Sequence, residues 1–259
     1  MKQYVVDAFT NQLFHGNQAA ICILDHWIAE ETMMNIAKEN NFSETAFAVK
    51  EGEVYRLRWF TPADEIDFCG HATLACSYVL FNYYEKDKQE IVFNTMVGEL
   101  IVKRDGDEIL MNMPAYNLNP IPVTIEMEEA IGVTPCEAYK DRDLMLVLDT
   151  ENQVINLNPN IEKLKELDGL GIMVTAKGVD YDCISRYFAP ELSIPEDLVT
   201  GSAHCMIGPY WGNRLGKEKL NCYQASERGG SMRVELQGER VLIAGKAVLF
   251  SISELMINE

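Results

Sequence analysis

Basic residues are scarce in this sequence, and several other features are missing with them. The 259 residues carry 22 Lys and Arg against 40 Asp and Glu, a formal net charge of −18 at pH 7. A field of that sign repels phosphate backbones and anionic lipid surfaces unless a local basic patch opposes it. The most basic stretches, residues 86–88 and 214–219, are short and interrupted by Asp87 and Glu218, so neither nucleic acid nor a membrane is expected as a partner. Long apolar runs are absent too: the stretch 72–81 is broken by Thr73 and Ser77 and falls short of the ~20 residues of a membrane-spanning helix. The opening Met1-Lys-Gln-Tyr-Val-Val-Asp7 lacks the apolar core of a signal peptide, which points to the cytoplasm. The seven cysteines (22, 69, 76, 136, 183, 205, 222) are odd in number and widely spread. They form no CxxC and no Cys/His pair at zinc spacing, so reduced thiols are expected and no metal. No GxGxxG follows a strand, no P-loop occurs and GxSxG is missing, which speaks against a nucleotide cofactor and a serine-hydrolase elbow.

What remains is an ordinary globular composition, 47% hydrophobic and 24% charged, at a length that suits one large domain or two small ones. An internal repeat decides for two. Arg58-Trp-Phe-Thr-Pro62, Ile66 and Gly70-His71-Ala72 align with Arg186-Tyr-Phe-Ala-Pro190, Ile194 and Gly201-Ser202-Ala203, about half the chain further on and with three residues inserted. Each copy reads as a β-branched and aromatic strand (54–60 and 182–188), a Pro-containing turn, and a glycine opening a helix. The two helices, 71–84 and 202–212, carry almost no charge, and a helix that is apolar all round is a buried one. Further strands are expected over 5–9, 19–24, 46–50, 91–94, 99–104, 108–113, 144–148, 172–176, 232–236 and 240–250, with surface helices over 29–40 and 161–168. The fold class is therefore α+β, with two pseudo-symmetric lobes (1–118 and 119–259), each a curved, mostly antiparallel sheet around a central apolar helix. Which lobe the C-terminal strands join is left open.

Two buried helices with small residues in their first turns would present unpaired N–H groups, and a partial positive charge of roughly +0.5 each, to a shared cleft. That is an anion site without Lys, Arg or metal, although Gly70-His71-Ala72 and Gly201-Ser202-Ala203 also read as tight-packing helix starts. The titratable groups nearby are Asp67, Cys69 and His71 in the first copy, and Asp197, Ser202, His204 and Cys205 in the second. His71 lies where the helix dipole favours a neutral imidazole, fit for proton transfer or for a structural role. Asp197 reads as a helix cap or as a group orienting substrate. Glu44 leads into an apolar strand, where burial would raise its pKa and make it a better base for carbon acids; at a solvent edge it would do nothing of the kind.

Taken jointly, Asp7-Ala-Phe9-Thr, Phe14-His-Gly16-Asn17-Gln-Ala-Ala20, Asn41-Phe-Ser43-Glu44-Thr45-Ala-Phe47, Arg58-Trp-Phe60-Thr-Pro62, Phe68-Cys-Gly70-His71-Ala-Thr73 and Glu196-Asp197-Leu-Val-Thr200-Gly201-Ser202-Ala203 resemble the phenazine-biosynthesis isomerase (PhzF-like) family. The resemblance spans essentially the whole chain. It implies the diaminopimelate-epimerase-like fold, a site in the inter-lobe cleft and a homodimer. It places the general acid/base glutamate on Glu44, with His71 and Asp197 as further catalytic groups. The substrate, a small carboxylate, would be held at Gly70, His71, Gly201 and Ser202, with Cys69 beside them. Related epimerases use two cysteines, one before each helix-start glycine. Here those positions are Cys69 and Thr200, which disfavours a symmetrical two-thiol racemase.

The expected activity is thus cofactor-independent isomerisation by proton abstraction and return at carbon. The alternatives are a Cys69-dependent racemase or dehydratase and a non-catalytic carboxylate-binding protein. Phenazine synthesis itself does not follow, because substrate identity depends on cleft-lining side chains rather than on shared motifs.

Overall fold

The repeated Arg-x-Phe segments do the same structural work in both halves of the computed structural model, which describes residues 1–192 and 194–257. Arg58 grips Glu65 through Nε (2.7 Å) and Nη2 (2.6 Å) while its guanidinium lies 5.1 Å from the Phe60 ring. Arg186 grips Glu196 in the same way, at 2.7 and 2.8 Å, over the Phe188 ring at 5.1 Å. A planar fork on a carboxylate fixes the hairpin that follows each strand, so this part of the repeat is a scaffold device.

The chain divides into two compact units, Met1–Asn112 with the segment from Ala244 onward, and Met113–Ile243. This division differs from one at 118/119 because the closing strand Ala247–Glu254 pairs antiparallel with Lys2–Ala8. The single strand expected over 240–250 is two, Arg240–Gly245 and Ala247–Glu254, interrupted at Lys246.

In the first unit Lys2–Ala8 also pairs antiparallel with Asn17–Leu24, which runs parallel to Glu44–Glu51. Glu44–Glu51 pairs antiparallel with Val54–Phe60, which in turn runs parallel to Glu90–Thr95. Gly98–Asp105 and Glu108–Pro114 continue as antiparallel neighbours. The helix Gly70–Val79 packs against the strands Lys2–Ala8, Asn17–Leu24 and Glu44–Glu51, with every residue but Tyr78 buried. Its hydroxyls bond back one turn, Thr73 to the Cys69 carbonyl at 2.6 Å and Ser77 to the Thr73 carbonyl at 2.8 Å, so neither hydroxyl is stranded on a helix without a wet face. The α-helix stops at Val79 rather than running to 84. Leu80–Tyr84 winds as a π-turn closed by Glu85 N–H on the Leu80 carbonyl, and Arg104 donates to the Phe81 carbonyl at 2.7 Å. The helix Glu30–Asn40 packs against Glu44–Glu51, and Met33, Ile36 and Ala37 form a core with Cys22, Phe47 and Phe60. Each such buried aliphatic or aromatic side chain contributes roughly 1.5–3 kcal/mol.

The second unit repeats the order. Leu144–Val147 runs parallel to Ile172–Lys177, which is antiparallel to Cys183–Ala189, and that strand is parallel to Lys219–Gln224. The apolar helix His204–Leu215 starts later than expected, because Gly201–Ala203 forms a tighter turn with i→i+3 bonds to His204, Cys205 and Met206. Pro209 lacks the N–H that the Cys205 carbonyl would accept, and the Tyr116 N–H takes that place at 2.9 Å. Gly208 and Gly212 let this helix approach Gly230–Gln237 closely: a Cβ at Gly208 would lie 2.6 Å from Val234 Cγ1, and one at Gly212 2.3 Å from Leu236 Cδ1. Short strands at Asn119–Ile121, Glu137–Lys140 and Ile194–Asp197 and the helices Ile125–Ile131 and Glu151–Ile155 have no counterpart in the sequence expectation. Among the described residues no helix is long and apolar enough to cross a membrane.

Candidate active site

Glu44 reaches its position through a helix end. Asn41 closes Glu30–Asn40 in the left-handed conformation (φ 51°, ψ 30°), a geometry that asparagine tolerates, with its N–H on the Ala37 carbonyl at 3.1 Å. Asn40 and Gln3 exchange reciprocal amide hydrogen bonds at 3.0 Å, and Asn40 also donates to Thr45 Oγ1 at 3.0 Å. The turn is held on both sides, and Glu44 becomes the first residue of its strand, 6% exposed.

His71 is the second residue of the buried helix and follows Cys69, the extended residue (φ −145°, ψ 116°) at its N-terminus. Glu44 Oε2 lies 3.0 Å from His71 Nε2. The contact is an ion pair without good hydrogen-bond alignment, so both atoms keep unused bonding capacity. On the other ring nitrogen, Nδ1 faces the Asn17 side-chain amide at 3.1 Å, whose oxygen accepts from a protonated ring when the amide is turned over, and Cys69 Sγ at 3.5 Å. Asn17, Glu44, Cys69 and His71 are all buried.

The electrostatics reverse two expectations. Burial pushes the Glu44 carboxyl up, but the His71 charge, with hydrogen bonds from Ser43 and Cys69, outweighs it and holds Glu44 below the ordinary carboxylate value. Burial alone would push His71 down, and the helix start acts in the same sense. The neighbouring Cys69 and Glu44 overcome both and hold His71 well above 6.5. The expected raised Glu44 and neutral His71 are thus replaced by an ionised pair, because two buried groups of opposite charge 3.0 Å apart stabilise each other's charge. Burial, reinforced by Glu44, pushes the Cys69 thiol up to about 11 although His71 pulls the other way, so it is protonated at neutral pH. The three side chains offer donor atoms within 4.8 Å of one another, close enough for a metal ion, but a cation there would have to displace the protons of both Cys69 and His71.

In the second unit the groups singled out in the sequence sit in a separate network. Asp197 accepts from Thr200 Oγ1 at 2.5 Å, and Gln224 donates to the Asp197 carbonyl at 2.8 Å while accepting the Thr200 N–H at 2.8 Å. Asp197 is no cap of the helix, which starts seven residues on at His204. His204 is fully buried with Nδ1 on the Thr200 carbonyl at 3.0 Å, and burial lowers its pKa to about 4, so it is neutral and structural. Gly201 and Ser202 are buried in the turn, and Arg142 Nη2 lies 3.4 Å from Ser202 Oγ. Asp67 is exposed and joins neither network.

Sequence reasoning gave no role to Asn17, Gln224 or Arg142. Asn17 stood in a quoted motif without a partner to suggest one. Arg142 lies in the charged run Lys140-Asp-Arg-Asp143, which reads as a solvated turn.

A family model described as phenazine biosynthesis-like protein (PhzC-PhzF) matches residues 6–252. The chain belongs to this family. A Pseudomonas aeruginosa protein named as an uncharacterized isomerase is 43% identical over 254 residues, 98% of this chain and 97% of that one. The crystal structure of a PhzF-family phenazine biosynthesis protein from Enterococcus faecalis matches with a TM-score of 0.97 at 47% identity, covering 99% of each chain. A predicted epimerase from Pseudomonas aeruginosa, at 20% identity and a TM-score of 0.78, shares the fold over 99% of both chains. The α+β expectation of two similarly built, sheet-dominated lobes is borne out by this family's structures.

Proposed function

We propose that this isomerase moves a proton between carbon positions of a small carboxylate, with Glu44 as the group that removes and returns it. The observation that carries the reading is the buried Glu44–His71 pair at 3.0 Å, ionised yet poorly aligned. Glu44 is in its basic form at neutral pH, and a substrate wedged between the two groups would weaken the His71 attraction that depresses its pKa, raising its basicity where the proton is taken. Protonated His71 then faces the charge that develops on the substrate, and the first-turn amides at Gly70 and His71 add fixed dipoles, the kind of preorganised donor that dominates many catalytic rates. Asp197, Gly201 and Ser202 belong to the proposal as the groups of the second unit that orient the substrate. No step requires a metal or nucleotide, and the working form is taken to be a cytoplasmic homodimer.

The test is proton NMR of a panel of small unsaturated and hydroxy acids in D2O. Wild type should exchange a carbon-bound hydrogen of at least one acid, and Glu44→Gln should lose at least about 100-fold of that rate, the scale of general acid–base catalysis. Undiminished exchange by Glu44→Gln would remove Glu44 from the reaction. Cys69 carries a second reading, because its Sγ lies 3.5 Å from His71 Nδ1. Its raised pKa opposes a thiolate base. Cys69→Ala should therefore retain most of the exchange rate, and its abolition would transfer the base role to the thiol.

A further inference from the structure

Arg142 stands beside Ser202 and has no part in the reaction just described. Its guanidinium is held on several sides. Asp143, a carboxylate with no exposed side-chain surface, accepts from Nε at 3.3 Å and Nη2 at 3.2 Å. The Tyr116 ring lies 5.4 Å from the guanidinium carbon, and Nη2 reaches Ser202 Oγ at 3.4 Å. Even so, 38% of the arginine side chain stays open to solvent. A flexible surface arginine offers an anion little, because ordering it opposes binding. One fixed by a buried carboxylate and an aromatic face has lost that freedom before any ligand arrives.

We propose that Arg142 reads a second carboxylate, so that the substrates of this isomerase are small dicarboxylic acids. The Asp143 fork takes up Nε and one hydrogen of Nη2, so the five-donor guanidinium has N–H groups beyond the fork for a further acceptor, and a planar guanidinium edge matches a carboxylate. Asp143 already shares the positive charge, so the residual attraction suits a monoanionic carboxylate better than a dianionic phosphate. The competing role is purely structural: Arg142 neutralises buried Asp143 and nothing more. The proposal rests on the reading that Ser202 contacts the substrate, since that contact puts the ligand within reach of Nη2.

The experiment uses the full chain and a series of four- to seven-carbon dicarboxylic acids, saturated and unsaturated, with their monoamides. Affinity is read by titration calorimetry and carbon-bound hydrogen exchange by NMR in D2O. Wild type should bind at least one diacid roughly 10- to 100-fold more tightly than its monoamide, the scale of a charged hydrogen bond. In Arg142→Gln that ratio should fall to near one, and in Arg142→Lys it should recover in part. Because Arg142→Gln strands Asp143, the double variant Arg142→Gln/Asp143→Asn is measured alongside and should lose the same discrimination without a loss of melting temperature. The proposal is overturned if wild type shows no diacid preference, if the preference survives in both Gln variants, or if diacid and monoamide weaken equally. Arg142-dependent diacid binding without hydrogen exchange would sink the proton-transfer reading alone, and exchange of monoacids without diacid preference would sink this one alone.

Discussion

Replacing His71 with Gln tests the ionisation of the buried pair and needs no substrate. In wild type the Glu44 pKa is lowered from 4.5 and the His71 pKa is raised above 6.5. The pair's contribution is therefore complete between those two values. It is lost on the acid side as pH falls through the lowered Glu44 pKa, and on the alkaline side as pH rises through the raised His71 pKa. Removing the imidazolium leaves a carboxylate with 7% side-chain exposure and no cation, and breaking a buried pair from one side costs about 3–5 kcal/mol. Burial, the largest influence, then outweighs the remaining hydrogen bonds from Ser43 and Cys69 and carries the folded Glu44 pKa above 4.5, so stability of the variant falls as pH rises from 4.5 through that new value. The deficit of His71→Gln against wild type should be smallest in acid, where Glu44 is protonated in both proteins, and grow with rising pH to its full size near pH 6.5. Urea denaturation across that range measures it. The double variant Glu44→Gln/His71→Gln, which buries no charge, should return to within about 1–2 kcal/mol of wild type. A deficit that is the same at every pH, or a double variant as unstable as the single one, would refute an ionised pair.

Two other expectations follow from packing. His204 is held neutral at a pKa of about 4 by burial, so its contribution is present above 6.5 and disappears as pH falls through 4, about 3 kcal/mol in all. His204→Gln should flatten the acid limb of the stability profile, and an unchanged limb would show that another group sets it. Gly212→Ala drives a Cβ to 2.3 Å from Leu236 Cδ1 and 2.9 Å from the Lys217 carbonyl, which should destabilise by roughly 1–3 kcal/mol despite alanine's better helix propensity. Pairing it with Leu236→Ala should give a loss smaller than the sum of the two single losses, and strict additivity would mean that the helix and strand do not meet there.

The half-length repeat and the two uncharged helices were legible because duplication and burial both leave marks in composition. Charge cannot vanish from the face of a helix unless that helix is enclosed. The helix ends were harder to read, for local reasons. Nothing in Leu80–Tyr84 announces a π-turn, whose freed Phe81 carbonyl is taken up by Arg104 from a distant strand. The delayed start at His204 reflects a Gly201–Ala203 turn of i→i+3 bonds that sequence spacing does not distinguish from a helical one. The candidate site was legible as residues but not as electrostatics. Glu44 and His71 each gave a sensible expectation in isolation, a raised carboxyl and a neutral imidazole, and each was reversed by the other across 3.0 Å. Pairwise attraction depends on a contact between residues 27 positions apart, and no local pattern encodes it.

The two units keep one scaffold and divide its chemistry. Strand Glu44–Glu51 enters its parallel ladder with Glu44 opposite Ala19, and the corresponding strand of the second unit enters with Ile172 opposite Leu144. Where the first unit has Cys69 and His71 around the helix-start glycine, the second has Thr200 and Ser202. The first unit thus buries an acid, a base and a thiol, while the second presents hydroxyls and, through Arg142, a fixed cation. Arg58 and Arg186, by contrast, hold the same carboxylate over the same ring position. Retention of the clamp where Cys69 and His71 give way to Thr200 and Ser202 separates what the fold requires from what the proposed reaction would require. If, as proposed, the proton leaves and returns through Glu44, the reaction needs a single basic side chain, and a second copy of it in the other unit would add a buried charge with no partner to stabilise it.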